Sequence, residues 1–167
     1  YIDCRAGASG DMFLAALADL GLDLEPLEAM LKRAGLDLGI TVREENRQSG
    51  TGRGLDVNWP ANQPLRHLPE ITALIEKLDC TQEVRDLSLA AFRELARAEA
   101  HVHGCSIEEI HFHEVGAIDT IVDVVGAFWG LGALKVASAW ASPLPWFSGT
   151  VTCEHGVISL PAPATLE

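Results

Sequence analysis

The sequence predicts an α/β or α+β fold: a mixed sheet with several helices packed against it. Short β-like runs alternate with segments whose apolar residues recur at three and four spacing. Glycines stand where those helical patterns stop. With 167 residues, 48% hydrophobic and 22% charged, the chain is long and apolar enough to bury one core without staples.

In chain order, a short strand at residues 2–4 leads through Gly7-Ala8-Ser9-Gly10 into a helix carrying Met12, Phe13, Leu14, Leu17 and Leu20, closed by Gly21. A second helix covers residues 25–34, with Pro26 tolerated in its first turn and Gly35 as its stop. Runs at 40–44 and 55–59, separated by the glycine-rich residues 49–54, predict a hairpin. Residues 69–78 and 82–102 carry helical periodicity, the second as Val84, Leu87, Leu89, Ala91, Phe92 and Leu95, with Gly104 ending it. These two form a possible helical lobe over residues 67–104.

Residues 111–115 are expected to be extended, followed by Gly116 and a largely apolar helix over about 117–134, whose apolar circumference implies burial. Apolar and small residues alternate at 136–142, the chain bends at Pro143 and Pro145, and a final hairpin spans 151–153 and 157–160. The mixed sheet is expected to join the N-terminal strand to this hairpin. No internal repeat is present. Both ends look cut, since the first strand is already under way at Tyr1 and a helix would be starting at residues 161–167, so a single domain of a longer protein is expected.

A formal net charge of −12 repels phosphate backbones and anionic membranes at long range, which excludes nucleic-acid binding as the default function. No run approaches the length of a membrane span. Cys4, Cys80, Cys105 and Cys153 form no C-x-x-C pair, so a zinc knuckle is not indicated and a reducing cytoplasm is the expected compartment.

The densest set of potential ligands is Glu108-Glu109-Ile110-His111-Phe112-His113-Glu114, followed by Asp119 and Asp123. In an extended segment His111 and His113 share one face and Glu114 takes the other. Imidazole and carboxylate together suit nickel, zinc or manganese better than calcium, but spacing does not name the metal. Asp119 and Asp123 share one face of the next helix, and among so many apolar neighbours they require a cationic or hydrogen-bonding partner. The simpler alternative has Asp119 capping or decorating the helix N-terminus and Asp123 pairing with an arginine or looking into solvent.

Gly7, Ser9, Gly10 and Asp11, between a strand and a helix, offer backbone N–H groups where a phosphate could rest. The alternative is Ser9 as N-cap with Asp11 complementing the macrodipole. His67, His101, His103, His155 and the four tryptophans carry no site expectation.

Three blocks resemble the LarC family of nickel-insertion proteins: Tyr1-Ile2-Asp3-Cys4-Arg5-Ala6-Gly7-Ala8-Ser9-Gly10-Asp11-Met12-Phe13-Leu14, the run from Ile110-His111-Phe112-His113-Glu114-Val115-Gly116 to Gly126, and the stretch from Gly149 to Thr165. Arg5 departs from the aromatic residue expected there, and residues 48–54 are looser than the usual hairpin. The resemblance implies nickel insertion into pyridinium-3,5-bisthiocarboxylic acid mononucleotide, building the nickel-pincer cofactor of lactate racemase. It further implies two Ni–S bonds and one Ni–C bond, consumption of CTP with Mn²⁺ or Mg²⁺, a C-terminal CTP-binding domain absent from this chain, and a homo-oligomer.

On that resemblance, nickel is the substrate ion. His111, His113, Asp119 and Asp123 are its candidate ligands or supports, and His113 and Glu114 are candidate bases for the ring proton lost on forming a Ni–C bond. The substrate's phosphate would rest on the turn of Gly7, Ser9, Gly10 and Asp11, with Asp3 nearby. The competing functions are a metal-dependent phosphohydrolase and a non-catalytic oligomerisation module.

Overall fold

The computed structural model describes residues 1–47, 50–60, 66–112, 118–153 and 156–167. Helix α1 (Gly10–Asp19) and helix α2 (Glu25–Arg33) follow the N-terminal segment. Strands β1 (Gly39–Arg47) and β2 (Gly50–Asn58) form an antiparallel hairpin with Ile40 opposite Val57 and Val42 opposite Leu55. These four apolar residues share one face and pack on the core, while Thr41, Arg43, Glu45 and the glycines of β2 take the other face.

Strand β3 (Arg66–His67), helix α3 (Leu68–Glu76) and the long helix α4 (Gln82–His103) come next. The Thr81 side chain caps α4 by accepting from Val84 N at 3.3 Å, and Gly104 closes it at φ +66°, a backbone conformation that glycine reaches without strain. Strand β4 (His111–Phe112) pairs with β3, helix α5 (Ile118–Ala133) follows, and β5 (Gly149–Cys153) with β6 (Gly156–Leu160) forms the last hairpin. A 3₁₀ turn at Pro163–Thr165 comes after it.

One core joins all the helices. Leu14, Leu27, Ile71, Ile75, Phe92, Ile121 and Val125 are fully buried in a single cluster. The segment expected as a possible separate lobe, residues 67–104, contributes Ile71, Ile75, Leu89 and Phe92 to it. Helix α5 lies close against α1 because Gly126 and Gly130 carry no side chain; a Cβ on Gly130 would meet Leu17 Cδ1 at 2.6 Å.

The α plus β class holds, but the sheet is organised differently from the sequence-based expectation. The described strands form three separate two-stranded antiparallel ladders, and the N-terminal segment makes only a parallel bridge from Ile2 to Ala141. Pro143 and Pro145 lack the N–H groups that would carry this bridge on toward the hairpin. The glycine-rich stretch expected as a turn is instead mostly strand, since Gly50, Gly52 and Gly54 pair with Arg47, Glu45 and Arg43. Cross-strand hydrogen bonding outweighs the low β-propensity of glycine there.

Candidate functional site

Asp119 and Asp123 lie one turn apart on α5, and Asp11 lies in the first turn of α1. All three border one cleft of about 450 Å³, whose opposite wall is the base of the β1–β2 hairpin, with Thr41, Asp56 and Trp59. The three carboxylates meet because α1 packs on α5 through the small residues that face it. At Gly10 the approach is closest: a Cβ there would overlap sterically with the Asp123 carboxyl group.

Asp123 is the most perturbed group of the site. Burial, then the neighbouring charges of Asp11 and Asp119, push its carboxyl up to about 6. Its Oδ1 is buried and has no hydrogen-bond partner among the described residues. Asp119 accepts the N–H of Thr120 at 2.7 Å, and the Ser9 hydroxyl donates to Asp11. No arginine or lysine pairs with Asp119 or Asp123 among the described residues. The described residues include no group of three His, Cys, Asp or Glu side chains arranged to hold a metal ion by themselves.

The other expected residues fall in three places. Ser9 occupies the N-cap of α1, yet its side chain caps no backbone N–H. Gly7 and Ser9 border a different, largely apolar cavity of about 350 Å³ beside Tyr1 and Met12, away from the acidic cleft. Asp3 is engaged by Arg5, which donates from Nε at 2.9 Å and Nη2 at 2.6 Å and holds the Asp3 carboxyl below its ordinary value. Residues 113–117, with His113, Glu114 and Gly116, lie outside the described residues, as does His155. For His111 the backbone pairing is described, and it places His111 directly opposite His67 across β3–β4.

His67 is the residue that the sequence pattern left without a partner. It heads α3, where its N–H donates to Glu70 at 2.7 Å, and its Nδ1 lies 3.2 Å from the Ile110 carbonyl oxygen. Only the cross-strand register brings it beside the His111 segment. Of the remaining histidines, His103 stands 3.6 Å from Glu99 and His101 3.6 Å from Glu167, both at the end of α4. No helix among the described residues is long and apolar enough to cross a membrane.

The family model described as nickel insertion protein matches residues 1–167. The chain belongs to this family. A pyridinium-3,5-bisthiocarboxylic acid mononucleotide nickel insertion protein of Desulfitobacterium hafniense is 44% identical over 170 residues, which is 100% of this chain and 42% of that protein. Relatives in Geotalea daltonii and Citrifermentans bemidjiense, whose names also speak of nickel insertion, are 42% and 46% identical over 100% of this chain and 44% of their own length. The chain thus spans less than half the length of the relatives it matches. No solved structure matches it.

Proposed function

We propose that the full-length protein inserts nickel into pyridinium-3,5-bisthiocarboxylic acid mononucleotide, and that this chain supplies the side of the machinery that handles the metal and the pyridinium ring. The observation that supports this most directly is the acidic cleft. Asp11, Asp119 and Asp123 converge there without a basic partner among the described residues, and Asp123 keeps a buried oxygen unbonded. Such a carboxylate is costly unless a cation or proton meets it during the working cycle. The name of the Desulfitobacterium hafniense relative supplies the substrate class.

In this proposal His111 and His113 are nickel ligands, or a ligand and a base. Asp119 and Asp123 orient them and hold positive charge. Glu114 or His113 takes the ring proton that must leave when carbon bonds nickel. Asp11 forms the wall shared by the two ends of the cleft, and Gly10 gives Asp123 its room. CTP with Mn²⁺ or Mg²⁺, a C-terminal partner domain, assembly into a homo-oligomer, assignment to the lyase class, service to lactate racemase and a cytoplasmic location belong to the same proposal.

Equilibrium dialysis of Ni²⁺ against the full-length protein tests it. Replacing His111 and His113 together by Ala is expected to abolish nickel retention and insertion. Unchanged nickel stoichiometry in the double variant would sink the assignment.

A further inference from the structure

The acidic cleft does not end at Asp11. A second cleft of about 340 Å³ continues from it along β2, sharing Asp11 and Leu55, and is bordered by Arg43, Arg53 and Gly50 to Gly54. Asp119 and Asp123 therefore stand at one end of a continuous groove and the two guanidinium groups at the other, where Glu45 also lines the cleft and is engaged by Arg43. Because Arg43 pairs with Gly54, Arg43 and Arg53 stand on opposite faces of the hairpin. Both nevertheless border the second cleft.

The two arginines differ in what already occupies them. Arg43 donates to Asp56 from Nε at 2.6 Å and Nη2 at 3.2 Å and also contacts Glu45, and its guanidinium lies over Gly54 where a Cβ would be 2.5 Å from Nη1. Arg53 pairs from Nε with Asp19 at 3.2 Å, and both groups are substantially exposed. An exposed pair of this kind contributes little, so its guanidinium exchanges readily toward a stronger anion.

We propose that Arg53 binds the phosphate of the mononucleotide and so fixes which way the substrate lies in the groove. This rests on the substrate class proposed above. In a pyridinium 3,5-bisthiocarboxylate mononucleotide the ring nitrogen carries the ribose phosphate, while the two sulfur-bearing groups sit on the far side of the ring. A nickel-accepting end and an anionic end are thus opposite each other, as the Asp119 and Asp123 carboxylates and the guanidinium groups are in the groove. A planar guanidinium suits a phosphate because two parallel N–H groups meet two oxygens. The turn at Gly7 to Gly10 is the poorer seat, since the Asp123 carboxyl fills the space at Gly10 and Asp11 already takes the Ser9 hydroxyl. A phosphate there would face two carboxylates.

Isothermal titration of the full-length protein with nicotinic acid mononucleotide and with its phosphate-free riboside tests the assignment, using wild type, Arg53→Gln and Arg53→Lys. Wild type is expected to prefer the mononucleotide at least about tenfold; Arg53→Gln loses about that factor for the mononucleotide and leaves the riboside unchanged, with Arg53→Lys between them. The proposal is overturned if wild type shows no preference for the phosphate, or if Arg53→Gln keeps the preference or weakens both ligands alike. Nickel retention measured on the same samples separates this outcome from the metal proposal: a wild-type protein that holds no nickel refutes the latter, whatever its phosphate preference.

Discussion

Gly10 and Asp123 occupy adjoining space so closely that the carboxyl group of one fills the position a side chain on the other would need. Asp123 cannot relieve this by rotating its side chain, because its own Cβ also clashes with that position. Gly10→Ala is therefore expected to cost about 1–3 kcal/mol as an overpacking substitution, against the helix-propensity gain that alanine normally brings. Thermal unfolding by circular dichroism measures it, and an unchanged or raised midpoint would show that α1 and α5 separate without penalty.

Asp123 makes stability fall as pH rises. Its folded carboxyl titrates at about 6, above the ordinary 3.8, so the folded chain binds the proton more tightly than the unfolded chain does. The resulting stabilisation is fully present below pH 3.8 and is lost as pH rises through about 6. Asp123→Asn should match wild type near pH 3.5 and exceed it above pH 6.5, by about 1 kcal/mol once solvent screening of this partly exposed group is allowed for, or about 2–4 °C in melting temperature. A constant difference across that range contradicts the assignment.

Phe92 is fully buried in the cluster that joins α4 to α1, α2, α3 and α5. Phe92→Ala is expected to lower the unfolding free energy by about 3–5 kcal/mol, read from urea midpoints at fixed m-value. A loss limited to α4, visible as a biphasic transition, would instead mean that the helices around residues 67–104 unfold separately.

The α4 cap offers a milder test. Thr81→Ala removes the acceptor for Val84 N and is expected to cost about 1 kcal/mol, with Thr81→Ser retaining most of it. Hydrogen exchange in the first turn of α4 would report the local part of the change.

The helices are readable because their signals are local. Apolar spacing, Pro26 and Pro69 in first turns, and Gly104 past the end of α4 each act within a few residues, and α1 to α5 begin and end close to where those marks stand. The sheet is less legible because pairing is non-local. Nothing near Gly50 to Gly54 announces that Arg43 and Glu45 will draw those glycines into a ladder, and nothing near Ile2 announces Ala141.

The site divides the same way. That Asp119 and Asp123 share a helix face follows from their spacing of four. That Asp11 joins them, that Gly10 is the cradle for Asp123, and that His67 lies across from His111 depend on contacts between residues 43 to 113 positions apart, which leave no mark in either local sequence.

The arm between α5 and β5, residues 134–148, has an optical consequence. Trp140 and Trp146 are 72% and 82% exposed, Trp59 stands at the mouth of the acidic cleft, and only Trp129 packs against the core among the four tryptophans. The indole emission of Trp140 and Trp146 therefore arises in water, red-shifted and open to collisional quenchers. Anything that settles over the arm will shift that emission to the blue, while an occupant of the cleft will alter chiefly the Trp59 contribution, so the protein carries two native reporters that need no label.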